Sequence, residues 1–275
     1  MGAGAGVALG LRMLAGVVVA TAVGCASLPQ PPEVAKTDGA PTTAPTPKAP
    51  RAPSWLAGLA LSQAQEQAIS ELRASLAPKL APFWDAARDF ALAIATAAQH
   101  GDGRAPALAA AASWAINVGE DVREPVLDAI NRVHRILTPA QRASLTERLL
   151  GDEKESQSDD SAETPARSLG DVLDLDLGQM LALLVRAQAL KGAFEERLGP
   201  WRQNLKAALL AFAEDDFDVR RHKIAAVPAV SLATGLVRDA VRVLLPILER
   251  DQGRALAAFI REKVAESRLQ APAKP

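Results

Sequence analysis

Tyrosine is absent from the 275 residues, cysteine occurs once and histidine three times. A lone cysteine, Cys25, leaves no internal disulfide, so packing alone must hold the fold. His100, His134 and His222 have no second His or Cys at ligand spacing, which argues against a metal site. His134 reads as a surface or boundary residue. No glycine-rich phosphate loop follows a strand-like run, and β-branched runs are short. Ser54, Ser62 and Ser144 lack the His/Asp context that would make a nucleophile. The carboxylate pairs Asp85/Asp89 and Asp215/Asp216 read as solvated faces or turns. A net charge of −1 offers no broad basic surface for nucleic acid. These absences point away from an enzyme and predict no cofactor, no metal and no nucleic-acid partner.

What the chain does have is helix. Alanine is abundant, and Ala, Leu, Arg, Glu and Gln are good helix formers. The chain is organised around residues 137–150, LTPAQRASLTERLL. Thr138 stands before a helical run, Pro139 at its first position and Gln141 at its third. That is a capping box: the hydroxyl accepts from the Gln141 amide, and the Gln141 side chain reaches back to the Thr138 N–H. The box assigns the larger share of stability to Thr138 and the smaller to Gln141. Leu145 and Leu149 continue on one face. Leu61, Ser62 and Gln65 repeat the pattern, followed by a stripe of Ile69, Leu72 and Leu76.

The spacing predicts one long helix over 62–99, kinked or broken near Pro78 and Pro82, with Pro82, Phe83 and Trp84 as a turn. A turn at residues 100–103 comes next. A second long helix over 105–137, bent near Pro125, leads to the motif helix over 139–150. Residues 151–167 are acidic and almost without apolar side chains, and read as a solvated linker.

The second half looks like the first. At an offset of 111 residues, Val126, Asp128, Ala129, Ile136, Leu137, Gln141 and Leu145 fall on Val237, Asp239, Ala240, Ile247, Leu248, Gln252 and Leu256. Leu248 and Gln252 then mark a second copy of the later motif, with Glu249 a poor cap. Leu175, Asp176 and Gln179 mark a second copy of the earlier one, with Asp176 a good cap. Pro200 and Trp201 would match the turn at Pro82. The alternative is chance similarity between two Ala/Leu-rich helical regions.

Two Leu-Ser/Thr-x-x-Gln helix starts separated by a long helical stretch resemble the Spy/CpxP family and its two LTxxQ motifs. The run Ile136, Leu137, Thr138, Pro139, Ala140, Gln141 is the closest match. Members of that family pair two helical hairpins into a curved dimer. The resemblance, read with the internal repeat, implies an all-α fold of two tandem long helical hairpins packed as a single-chain pseudo-dimer. The chain would then be a monomer with an internal pseudo-two-fold.

The N-terminal region carries a different signal. Met13 to Val23 is a short apolar run, too short to span a bilayer as a mature helix. It ends in Ala22, Val23, Gly24 and Cys25, which resembles the bacterial lipobox, where lipid is attached to the cysteine thiol. A plain secretory signal with an incidental cysteine is the other reading. Residues 26–54 are rich in Pro, Ala and Thr. Fully stretched at about 3.1 Å per residue they would reach roughly 80–90 Å.

The organisation expected is therefore a lipoprotein signal peptide over 1–24, a lipidated Cys25 with its tether over 25–54 and a first hairpin over 55–150. The acidic linker 151–167, a second hairpin over 168–268 and a disordered tail over 269–275 follow. By resemblance, the location is the periplasmic face of the outer membrane. The partners are the membrane, through the anchor, and protein clients or an envelope partner. The work would be ATP-independent chaperoning or modulation of an envelope-stress response. A structural lipoprotein scaffolding a membrane-associated complex is the rival. Of two basic stretches, Arg220 to Lys223 is a candidate patch for anionic lipid or for an unfolded client, and the series Arg132, Arg135, Arg142 and Arg148 is a candidate amphiphilic surface or else a plain bundle surface. For the first, charges compensated within its own loop are the plainer reading.

Overall fold

The computed structural model describes residues 56, 58–158, 173–226 and 228–269. Cys25, the segments over 1–24 and 25–54, most of the linker after Ser158 and the tail after Leu269 lie outside them. The described chain is all-α, with no strand. Seven α-helices follow one another: α1 (Gln63–His100), α2 (Pro106–Asp121), α3 (Arg123–Ile136), α4 (Pro139–Ser158), α5 (Leu177–Phe212), α6 (Ala229–Leu244) and α7 (Arg250–Leu269).

Of the kink or break expected at Pro78 and Pro82, the break does not occur. Helix α1 runs through Pro78 and Pro82 without interruption, and α5 runs through Pro200. A proline inside a helix removes one N–H and frees the carbonyl four residues before it. The residues that carry those freed carbonyls, Ala74, Pro78 and Glu196, are all exposed. Water can satisfy them, so Pro82 to Trp84 and Pro200–Trp201 are helix and not turns.

The stretch expected as one bent helix is two. It breaks at Val122, three residues before Pro125. The break places Pro125 in the first turn of α3, where N–H groups have no intrahelical partner to lose. The acidic linker is also shorter than expected. Helix α4 continues through its first part to Ser158. Glu, Lys and Gln are good helix formers, and a polar sequence excludes a core without excluding a helix.

The apolar residues of α1 recur at helical spacing, with Ala86, Phe90, Ile94 and Ala98 on one face. They pack with Leu108, Ala112 and Ala115 of α2, Val237 and Val241 of α6, and Leu256, Ile260 and Val264 of α7. Full burial of each large aliphatic side chain contributes about 1.5–3 kcal/mol. The most extensive contact joins α1 to α7, at opposite ends of the chain. Helix α4 lies on α5, and α2 on α6. A smaller cluster gathers Leu56, Ile69, Leu137, Leu145 and Phe212.

Alanines and one glycine bring α1 and α7 close. A Cβ on Gly253 would stand 2.4 Å from the carbonyl oxygen of Ala98. No side chain fits there, so glycine is a requirement of the crossing rather than a matter of helix propensity.

Candidate functional site

Each of the four motif glutamines sits at the third position of a helix or its equivalent, and the helices bring them together in two pairs. The Ser62 hydroxyl accepts from the Gln65 N–H at 3.3 Å, and Gln65 Oε1 accepts from the Ser62 N–H at 2.9 Å. Thr138 and Gln141 repeat this at 3.3 and 2.9 Å. Asp176 and Gln179 repeat it at 2.7 and 3.0 Å. At the fourth start Gln252 Oε1 accepts from the Glu249 N–H at 2.9 Å. No cap hydrogen bond from the Glu249 carboxylate is present among the described residues.

The caps are half of what these glutamines do. Gln65 Nε2 donates to Gln141 Oε1 at 2.8 Å, and Gln141 Nε2 donates back to Gln65 Oε1 at 3.2 Å. Gln65 Nε2 also donates to the Ile136 carbonyl, and Gln141 Nε2 to the Ala60 carbonyl, both at 2.7 Å. Each amide thus fills both donor and both acceptor positions. The second pair is built alike. Gln179 and Gln252 exchange hydrogen bonds at 2.7 and 2.9 Å. Gln179 Nε2 reaches the Ile247 carbonyl at 3.1 Å, and Gln252 Nε2 the Asp174 carbonyl at 3.2 Å.

The backbone repeats with the side chains. Leu137 lies at φ −82°, ψ 141° and Leu248 at φ −76°, ψ 137°. Leu137 is buried in the smaller cluster, with Leu61 half-buried beside it. Leu175 and Leu248 are half-buried against the main core. The hydrogen bonds of these junctions join helix starts that lie more than seventy residues apart.

The junctions divide the labour unevenly, and this is open to measurement. Thr138→Ala should destabilise the protein by about 0.5–2 kcal/mol, as lost N-caps do. Glu249→Ala should be close to neutral, since the carboxylate makes no cap. Urea midpoints of both variants check this, and equal losses would mean that Thr138 does not act as a cap.

Two residues expected at the surface are buried. His134 is 4 % exposed, and its Nε2–H donates to the Glu214 carbonyl at 2.8 Å. Phe212 meets its ring edge-on, and Phe217 lies tilted against it and stacks in turn on His222. Arg142 is 6 % exposed. Its guanidinium donates to the Leu137 carbonyl at 3.1 Å and pairs with Asp215. Arg132 and Arg135 are exposed and Arg148 half-buried, so the four arginines do not line one surface. At the 111-residue offset Arg142 corresponds to Gly253. One half fills the position with a buried cation, and the other empties it to admit a carbonyl.

The basic stretch from Arg220 belongs to a strap, residues 213–226, that leaves α5 and lies against α3. It contains two 3-10 turns, Val219–Arg221 and Lys223–Ala226. Arg220 pairs with Glu124 at 3.0 Å and Asp128 at 2.8 Å. Its charge is compensated by α3 and also by Asp218 of the acidic run before it, whose carboxylate accepts from the Arg220 N–H at 3.1 Å. Asn131 Oδ1 accepts from the Val219 N–H at 2.9 Å, and its Nδ2 donates to Asp218 at 2.8 Å. The hydrogen bond from Arg220 holds the Asp128 carboxyl below its usual range, and that from Asn131 does the same for Asp218.

A lowered carboxyl pKa stabilises the folded state above the ordinary value of 3.8 and loses that contribution as pH falls through the lower folded value. Strap amides should therefore stay protected from hydrogen exchange at neutral pH and lose protection only below pH 3.8. Loss of protection already well above pH 3.8 would mean that these two carboxylates do not control the strap.

Among the described residues no group of three or more His, Cys, Asp and Glu is placed to hold a metal ion. No described helix is long and apolar enough to cross a membrane. Trp114, Leu181, Val185 and Leu210 are large apolar side chains left exposed. Sequence reasoning found all four glutamines but not their pairing, and it missed Asn131 and the Arg142–Asp215 pair. One signal was present: a cap uses a single acceptor of a glutamine that offers two donors besides. No family model, no curated protein and no solved structure matches the chain.

Proposed function

We propose that this chain is an exported lipoprotein of the Spy/CpxP kind, with both hairpins of the family's dimer in one polypeptide. The observation that carries the reading is the equivalence of the two junctions. Gln65 with Gln141 and Gln179 with Gln252 make the same hydrogen bonds to equivalent carbonyls. The contacts α1 on α7 and α4 on α5 are reciprocal: each pairs the first helix of one half with the motif helix of the other. That reciprocity favours duplication over chance similarity, and a pseudo-two-fold through the α2–α6 contact.

Its work is binding. The domain holds unfolded envelope proteins, or a stress-sensor partner, on exposed helical surface without ATP. Weak apolar and charged contact lets clients vary and leave. Cys25 carries the lipid, and residues 26–54 let the domain range from the membrane. Cell fractionation of wild type and Cys25→Ala tests the anchor, which fails if the wild type is already soluble.

The deciding experiment is light scattering of a denatured client with the domain from Ser54 onward. Suppressed aggregation at about one domain per client supports the chaperone reading, since the two hairpins already reside in one chain. A domain that ignores denatured protein but holds one folded partner is instead a scaffold.

A further inference from the structure

The two halves differ most after their first helix. In the first half α2 begins at Pro106, soon after α1 ends at His100. In the second, α5 ends at Phe212 and α6 begins only at Ala229. The 111-residue offset places residue 217 where α2 starts. The strap thus has the sequence position of an early α2 but not its conformation, and it is laid on another helix.

That helix is α3, and the way it holds the strap is informative. Arg123 Nε donates to the Ala225 carbonyl at 2.7 Å. Asn131 Oδ1 accepts from the Val219 N–H, and His134 Nε2–H donates to the Glu214 carbonyl. Three side chains on α3, spaced for one helical face, bind main-chain groups of an irregular segment. Leu127 and Ile130 lie among them and receive Val219, Ala225, Phe217 and Ile224. Main-chain hydrogen bonds together with apolar contacts make a surface tolerant of sequence. The sequence-specific contacts are Asn131 Nδ2 donating to Asp218 within the site, and the pairs of Arg220 with Glu124 and Asp128 at the exposed rim.

We propose that this face of α3 is a binding site for a non-helical segment of unfolded polypeptide with aliphatic or aromatic anchors, and that residues 217–226 occupy it in cis as a displaceable strap. The inference deepens the client-binding reading and rests on it. It names the place of binding and the chemistry of the client, because the strap is itself a seated example. A client competes with the strap, so apparent affinity scales with the fraction of molecules in which the strap is off.

The test uses the full chain and a labelled synthetic peptide of residues 214–226 as probe. Arg220→Glu reverses an exposed charge against Glu124 and Asp128 and should open the strap without touching the core. It should bind the peptide with an apparent Kd about tenfold lower than the wild type. Adding Glu124→Arg and Asp128→Arg restores opposite charges to the strap and, with a probe peptide that itself carries Arg220→Glu, should return binding to the wild-type level. A peptide with serine in place of the anchors Phe217, Val219 and Ile224 should not bind.

Hydrogen exchange supplies the second measurement. The Val219 and Ala225 amides should exchange before those of α1 and α7 in the wild type, and faster still in Arg220→Glu. Strap amides that exchange only with the whole bundle would overturn the proposal, as would an opened variant that takes up no more peptide. If wild type and Arg220→Glu suppress client aggregation equally, the strap proposal falls and the chaperone reading stands. If the opened variant binds peptide while neither protein suppresses aggregation, the site stands and the chaperone reading falls.

Discussion

Gly253→Ala should destabilise the protein by about 2 kcal/mol, against the usual sign for that change in a helix. Alanine ordinarily gains up to about 1 kcal/mol over glycine at an interior helical position. At Gly253 the added methyl would meet the Ala98 carbonyl oxygen at 2.4 Å. The obstacle is backbone, so no rotamer change relieves it, and α1 and α7 must separate. Overpacking of this kind costs about 1–3 kcal/mol, and the loosened seam is the most extensive helix contact in the fold. Gly253→Leu should cost still more. Gly192, inside α5, is the control, since a Cβ there meets nothing within 4 Å. Gly192→Ala should stabilise by up to about 1 kcal/mol. Urea midpoints of the two alanine variants should move in opposite directions. Movement in the same direction would mean that α1 and α7 have room to part.

The glutamine junctions give the second large effect. Gln141→Ala should cost about 2–3 kcal/mol, more than Thr138→Ala, because it removes partners from Thr138, Ala60 and Gln65 together. As a cap alone Gln141 would be the lesser of the two, so the reversed order reports the pairing. Gln65→Ala should cost a similar amount. The double variant should cost less than the two single losses added, by about 1 kcal/mol or more, since either change breaks the same exchange. Gln141→Glu should fall between. Its carboxylate can accept from the Thr138 N–H and from Gln65 Nε2, but it has no donor for the Ala60 carbonyl. A double-mutant cycle in chemical denaturation checks this, and strict additivity would show that the two glutamines act independently.

What could be read from the sequence was local. A capping box spans three residues, and three of the four starts could be recognised from one hydroxyl or carboxylate and one glutamine. At the fourth, Glu249 read as a poor cap, and there only the glutamine half of the box is present, Gln252 Oε1 accepting from the Glu249 N–H. The stripe of α1 was legible at its start, where Ile69 is buried and Leu72 and Leu76 are half-buried, but its continuation through Phe90, Ile94 and Ala98 was not read. Leu145 and Leu256, matched at the 111-residue offset, are both buried, each in its own cluster.

What could not be read depended on partners far along the chain. Arg142 looks like any surface arginine until Asp215, 73 residues away, turns toward it. His134 is buried by Phe212 and Phe217, which belong to the other half. Pro78, Pro82 and Pro200 announce breaks by local rules and make none, because their freed carbonyls face solvent. At Pro125 the local rule failed in another way: it marked a bend, and the chain answered with a new helix start just upstream.

Leu56 has a mechanical consequence. Its side chain is 1 % exposed and wedged among Ile69, Leu137, Leu145 and Phe212. Whatever tension reaches the domain from its N-terminal side enters through that wedge. It is shared at once by the starts of α1 and α4 and the end of α5. A pull on the chain therefore does not peel α1 away turn by turn. It loads three helices in parallel at the Gln65–Gln141 junction, and the first thing to yield is the seating of one leucine. With Leu56→Ala the grip is weaker, and in a force-extension measurement the domain should let go at lower load while its equilibrium core stays largely intact.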